Sequence, residues 1–458
     1  MTLEHKLKRD EEEKLKKEAC KISIKEGSAY SLMDGFGLRY IAPYAIALGA
    51  NNTHIGLLSS LPLLLGSVAE LPVIKAMKYH SRKTLVFWGV LVQAIMWLLI
   101  IGVGALFFIF NVDHQFAPIA LIILFTILTT SGTALHPAWT SWMKSIVPKN
   151  YNRYFGTRNK IVGFAAIGSM LVAGLILNYF TPINVYIGFA IIFFIAFIGR
   201  AISANLFLKK YEPKLTFKHN HQLGFVQFVR KLADNNFGKF TLFSSFMGLM
   251  VAIASPFFAV YMLEDLKLNY LEFTIVSLSS LVVMFLTMPA WGKFSDKYGN
   301  YKTLKISGFL IPLVPIMWLA TPFVSSISKA YVVPYLVVIE AYSGLVWAAY
   351  NLSSVDFIYD SADNELIAPF MAYSSILINF GIFIGALIGG WISSSSIVFM
   401  GLSAILVAFL ISGIARYVIA FAMLPGIKEV KRVRSFGFNE VKAQLHHISF
   451  GKLAKILR

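Results

Sequence analysis

Seven ionisable side chains fall inside long apolar runs of this sequence: Asp34, Arg39, Glu70, His136, Arg200, Glu340 and Arg416. A charge at mid-bilayer depth costs about 2.5 to 3.5 kcal/mol on insertion scales, so each must face protein or water rather than lipid. A carboxylate in such a setting can contact a substrate or exchange a proton, and an arginine can anchor an anion or neutralise that carboxylate. Arg39 and Glu340 lie near the centres of their runs. They read as the chemical core, with Glu340 as substrate contact or proton acceptor and Arg39 as its partner or as an anion anchor. The rival reading is a static ion pair that only fixes helix packing. Asp34, Glu70, His136, Arg200 and Arg416 lie toward one end of their runs and can snorkel or pair with loops. Asp34 precedes Arg39 by about 140° round a regular helix, which argues against a bond between them. His136, next to Pro137, is a cavity candidate whose plainer role is capping or packing. Tyr40, Tyr44, Trp139, Trp347 and Tyr350 could supply aromatic walls, although such rings at span ends are also ordinary interface anchors.

The elements that carry these residues are expected to be membrane helices. Of 458 residues, 57% are hydrophobic and only 14% charged, which excludes an ordinary soluble domain. About twelve spans are legible, near 28–49, 54–76, 84–111, 117–146, 161–180, 183–208, 240–263, 270–291, 303–324, 330–352, 366–392 and 397–424. Of the 41 Lys and Arg, only Lys267 and Lys329 fall on one side and Arg39, Arg200 and Arg416 within spans. The rest share the other side, which places both termini in the cytoplasm of a multi-pass protein of the cell membrane. The +18 net charge is thus a topology signal rather than a nucleic-acid signal. Cys20 is the single cysteine, so no internal disulfide can form, and a free cytosolic thiol is expected. Residues 1–26 are charged throughout and show no cleavable signal. Asn51-Asn52-Thr53 fits a glycosylation pattern in a very short outer loop. No phosphate loop, Cys/His metal spacing or nucleophile constellation is visible, so the sequence implies neither an enzyme nor a cofactor.

The chain repeats itself once. At an offset of 213, six of sixteen positions agree between 224–239 and 437–452, among them Gly224/Gly437, Phe225/Phe438 and Lys239/Lys452. The same offset pairs Gly35 with Gly248 and Pro43 with Pro256, while Arg200 and Arg416 end comparable helices. An all-α integral membrane fold follows, with two six-helix pseudo-repeats around a central cavity. Its parts are a charged tail (1–26), a first bundle (27–208), a linker with an amphipathic helix (209–239), a second bundle (240–424) and a basic amphipathic tail (425–458). The linker and tail pattern suits the inner leaflet with its anionic lipids. Gly381, Gly385 and Gly389 repeat every four residues, a spacing that permits close helix approach.

The turn Trp291-Gly292-Lys293-Phe294-Ser295-Asp296-Lys297-Tyr298-Gly299-Asn300 separates two of these runs. Gly292 leaves room for a neighbour, Gly299 permits a positive φ, and Asp296 is placed to face a helix N-terminus. This turn resembles the signature loop of the major facilitator superfamily, with Asn300 where a base is usual. Its first-half counterpart, around Lys75, Lys78 and Arg82, has lost both glycines and the acid. The resemblance implies a transporter of a small molecule that works by alternating access, as a symporter or antiporter with the proton as coupling ion, and is monomeric. It also implies that the first, fourth, seventh and tenth helices line the cavity, and that cytoplasmic loops gate it. Two pairings would close that gate in an outward-facing state: Lys75 and Lys78 with Asp360 and Asp363, and Asp296 with Arg153 and Arg158. The alternative is that these charges only set topology. A lipid flippase or scramblase on the same fold, or a non-transporting receptor or scaffold, are the rival functions.

Overall fold

The computed structural model describes residues 3–110, 115–147, 151–213, 224–230, 232–361, 367–430 and 433. It is built of helices. In chain order they are α1 (Leu3–Phe36), α2 (Ile41–Ala47), α3 (Asn52–Ala76), α4 (Arg82–Phe108), α5 (Phe116–Thr133), α6 (His136–Ile146) and α7 (Tyr151–Lys209). The short α8 (Phe225–Arg230) leads into α9 (Asn236–Ala252), α10 (Phe257–Val260), α11 (Tyr270–Tyr298), α12 (Asn300–Leu310), α13 (Leu313–Trp318) and α14 (Thr321–Ile327). The last three are α15 (Val332–Ser361), α16 (Ile367–Ser393) and α17 (Ala404–Met423).

Starts are set by short polar side chains that satisfy otherwise orphaned amides. Asn51 accepts from His54 N at 2.9 Å to open α3, and Ser81 accepts from Thr84 N at 3.1 Å to open α4. Asn269 and Glu272 cap α11 reciprocally, both bonds at 2.9 Å. Asn51, the residue of the glycosylation pattern, is thus used as a cap. Breaks fall at prolines and glycines, where a missing amide or a missing side chain interrupts the ladder. Pro256 precedes α10, Pro312 precedes α13, and Asn184, two residues after Pro182, leaves helical geometry at φ −164° and ψ 109°.

Nine helical stretches among the described residues are long and apolar enough to cross a membrane, or ten if Asn300–Trp318 and Thr321–Ile327, bent by 42°, count as one. The stretch Tyr151–Lys209 holds 59 residues. At ~1.5 Å per residue it is long enough for two crossings of a ~30 Å core, with Asn184 as the bend.

The first predicted boundary shifts. α1 is continuous from Leu3 to Phe36, and Ala19, Cys20, Ser23 and Glu26 are buried in the bundle. Tyr154 donates to Cys20 O at 2.9 Å, which ties the end of the expected tail to α7. The Cys20 thiol is buried, and burial pushes its pKa up. Thiolate is the reactive form. Maleimide labelling of native protein at neutral pH should therefore run at least about tenfold slower than in denaturant. Equal rates would place Cys20 at the surface.

Two groups of helices, α1 to α7 and α9 to α17, meet along α3 with α16 and α7 with α11, and the largest buried apolar cluster runs through both, from Met33 and Trp97 to Trp318 and Phe409. The glycine stripe of α16 is explained by packing. A Cβ added at Gly381, Gly385 or Gly389 would strike the carbonyl oxygen of Ser245, Leu249 or Ile253 on or just past α9. In the linker, Phe228 and Leu232 are buried, and Phe228 stacks among Phe237, Phe370 and Tyr373. Of the expected leaflet-lying face, Phe225, Phe228 and Leu232 thus pack within the protein, while Val229 stays exposed. The amphipathic tail beyond 433 lies outside the described residues.

At the end of the molecule away from the basic loops, the two groups interlock. Asn52 Nδ2 donates to Ser393 O at 2.8 Å, and Gly56 and Gly390 bring α3 and α16 into backbone contact. Tyr40 bridges Met170 O and Thr274 Oγ1, each at 2.7 Å.

Candidate functional site

Two cavities of comparable size occupy the bundle. One, of about 390 Å³, lies between the two groups. Ser59 and Leu63 of α3 form one wall; Ser244, Ser255, Trp347, Tyr350, Asn351 and Ser354 are among those forming the other. Trp347 and Tyr350 meet edge to face with ring centres 5.4 Å apart, so the expected aromatic wall exists on this side. Among the described residues, no charged side chain lines this cavity. It reaches Phe240 and Ile358, near the basic-loop ends of α9 and α15, below the interlocked Asn52–Ser393 end.

The other cavity, of about 430 Å³, is lined within the first group, by α1, α4, α5, α6 and α7 with Leu38 and Leu135 between them. Glu26, Tyr30, His136, Trp139, Arg158 and Arg200 are among its lining residues. His136 and Trp139 thus line a cavity within the first group, not the one between the two groups. Tyr40 and Tyr44 are not walls: both are fully buried, with hydroxyls spent on backbone or hydroxyl partners.

Asp34, Arg39 and Glu340 are arranged otherwise than expected. Arg39 Nη2 lies 3.3 Å from Asp34 Oδ2, an ion pair the regular 100° step argues against. The step is not regular there. α1 ends at Phe36, and Leu38–Tyr40 form a 3-10 turn, which swings Arg39 back over Asp34. No ion pair joins Arg39 to Glu340. Glu340 is half-buried with Ser280 and Trp318 as polar neighbours, although the Trp318 indole makes no hydrogen bond of ordinary geometry. Glu340 has no cation within 4.0 Å among the described residues.

The two arginines matched by the repeat are held by structure. Arg200 donates to Gln93 Oε1 through Nε at 2.7 Å and also through Nη2, and Gln93 Nε2 donates on to Leu128 O at 3.0 Å. Arg416 donates to Val251 O at 3.2 Å and Ile311 O at 3.5 Å, the carbonyls exposed where α9 and α12 break. A cation at two helix C-termini is the favourable placement.

The loop charges pair differently from the expected gate. Arg158 is buried against Glu26 at 3.9 Å and stacks on Trp139 at 5.0 Å, so it does not meet Asp296. Burial is the reason: a guanidinium taken from water needs a carboxylate close by. Asp296 is exposed and caps nothing among the described residues. The amide of Tyr301 is instead taken by Glu429 Oε2 at 2.9 Å. Lys75 and Lys78 are exposed and unpaired among the described residues. Asp360 accepts from Asn300 Nδ2 at 2.6 Å, and Asn300 also meets Ser295. The position that lacks the usual base thus holds the acid within its own half. Gly299 does adopt a positive φ of 102°, and Lys297 sits over the Tyr298 ring at 4.6 Å. A Cβ at Gly292 would meet only Leu352 at 3.8 Å, so no close approach requires that glycine. Asp363 and the side chain of Arg153 lie outside the described residues.

Reasoning from the sequence overlooked Glu26 and Lys210, which it placed in a tail and a linker. The i, i+4 spacing of Glu26, Tyr30 and Asp34 ahead of Gly37 was the available signal that the helix starts earlier.

The family model described as Major Facilitator Superfamily matches residues 27–368. The chain belongs to that superfamily. It is a membrane transporter and not an enzyme. No curated protein matches it by sequence. Among solved structures, a mutant of the nucleoside transporter NupG is similar over 90% of this chain and 100% of its own, at 16% identity and TM-score 0.71. A bacterial homologue of the iron transporter ferroportin in an inward-facing state gives TM-score 0.65 at 10% identity, covering 90% and 98%. The POT family transporter PepTSo gives 0.66 at 11% identity, covering 88% and 97%. At these identities the likeness concerns the fold.

Proposed function

We propose that this superfamily member is a secondary active transporter that moves a small polar solute by alternating access between two halves, 27–208 and 240–424. The observation that carries this reading is the cavity shared by Ser59 and Trp347–Tyr350–Asn351, which runs between the two groups toward the basic-loop ends of α9 and α15. With the basic loops in the cytoplasm, the interlocked end is extracellular and the protein is inward-facing, a state in which the expected inner gate has no reason to form. The ferroportin homologue, described as inward-facing, supports that assignment. The neighbours' stated cargoes differ, a nucleoside in one and iron in another, so neither is carried over.

Proton coupling is part of the proposal, with Glu340 as the carrier. A carboxyl group bounded by a hydroxyl and an indole can change protonation without breaking an ion pair. The test uses liposomes with a trapped pH dye and a panel of amino acids, sugars, organic acids and cationic drugs. Substrate-driven proton movement is expected in the native protein and its loss in Glu340→Gln. Solute movement that persists in the variant with an unchanged proton signal would make Glu340 structural.

A further inference from the structure

We propose that the cavity lined by α1, α4, α5, α6 and α7 is a binding site for a small hydroxylated carboxylate. Three cations are buried around it, Arg158, Arg200 and Lys210, against one carboxylate, Glu26. Glu26 lies 3.9 Å from Arg158 and 3.8 Å from Lys210, and no other carboxylate comes within 4.0 Å of the three among the described residues. Arg200 spends its bonds on the neutral Gln93 and Ser203 and stacks under Tyr30 at 5.2 Å. With all groups ionised, the cluster carries two positive charges in excess. Buried charge is normally matched by opposite charge, so the cavity selects an anion.

Two further groups specify that anion. Glu26 Oε2 is buried and accepts no hydrogen bond, and the Thr129 hydroxyl on the lining is likewise unpartnered. A carboxylate oxygen only accepts, so the ligand must bring a donor. An ammonium there would be repelled by Arg158 and Lys210 beside it. A neutral hydroxyl is not. The volume of about 430 Å³ exceeds what an inorganic ion fills and lies within the range of small-molecule sites. The Trp139 face, already under Arg158, closes one side.

This site is built by one half of the protein and its occupancy does not depend on transport. Calorimetry on the purified full-length protein in detergent therefore reads it separately from any flux assay. L-malate, glycerol and inorganic phosphate are titrated at constant ionic strength. Saturable one-to-one binding of malate is expected, at least tenfold tighter than phosphate, with none for glycerol. Arg158→Gln should weaken malate at least tenfold. Because that change removes a buried ion pair, Thr129→Leu is the second variant: it fills the cavity without breaking a bond and should also weaken malate at least tenfold. The proposal is overturned by native protein that does not bind malate or binds phosphate equally well. It is overturned as well by folded Thr129→Leu that binds malate as the native protein does.

Discussion

Glu212→Gln is expected to destabilise the protein by about 3 to 5 kcal/mol, the usual result of leaving a buried charge without its partner. Arg82 is 1% exposed, and Glu212 Oε1 accepts from its backbone N at 2.8 Å and its Nε at 3.2 Å. Glu212 Oε2 accepts from Lys83 N at 3.2 Å, so one carboxylate neutralises the arginine and caps α4 together. Glutamine keeps one acceptor and loses the charge. The remaining contacts of Arg82, with Ser141 O, Ser145 Oγ and Pro213 O, are neutral. The apparent Tm in detergent should fall by about 5 °C or more. Adding Arg82→Met should recover most of that loss, since an apolar replacement of a whole buried pair is often neutral. An unchanged Tm in the single variant would sink the account. Glu429→Gln should cost less, roughly 0.5 to 2 kcal/mol, the usual effect of weakening a cap, since glutamine keeps an acceptor for the Tyr301 amide at the start of α12.

The second large effect is on transport. If the two halves part at the Asn52–Ser393 end in each cycle, a covalent bridge there stops the cycle. A Cβ at Gly390 would stand 3.2 Å from Thr53 Cα, close enough for a disulfide to form. In a Cys20→Ala background, Thr53→Cys with Gly390→Cys should, when oxidised, lower uptake at least roughly tenfold, limited by the unbridged fraction. Reduction should restore it. Full uptake by bridged protein would mean that the far end does not open, and alternating access would fail with it.

The helices, the duplicated arginines and the glycine stripe of α16 were legible because each depends on a periodicity or on bilayer thickness. The pairings were not. Arg39 reached Asp34 because Gly37 interrupts the helix on which the wheel argument depends, and a wheel contains no breaks. Arg158 and Asp360 were expected to reach across the halves because their loops carry opposite signs. Net loop charge says nothing about depth, and both are held within their own half, by Glu26 and by Asn300. Glu26 was missed for a related reason: the charge density of 1–26 reads as solvated tail, while the residues from Ala19 onward pack. Trp347 and Tyr350 line the cavity between the halves, whereas His136 and Trp139 line the one within the first half, and Glu340 is on neither lining.

Glu429 has a practical consequence. Beside it, Lys428 exchanges two hydrogen bonds of 2.8 Å with Asn236, so residues just past α17 fasten the starts of both α9 and α12. A fluorescent protein or purification tag joined directly after Gly426 would delete both fasteners and load the second half with two frayed helix starts. The same tag joined after Val433 would leave them in place, and expression levels of the two fusions should differ accordingly.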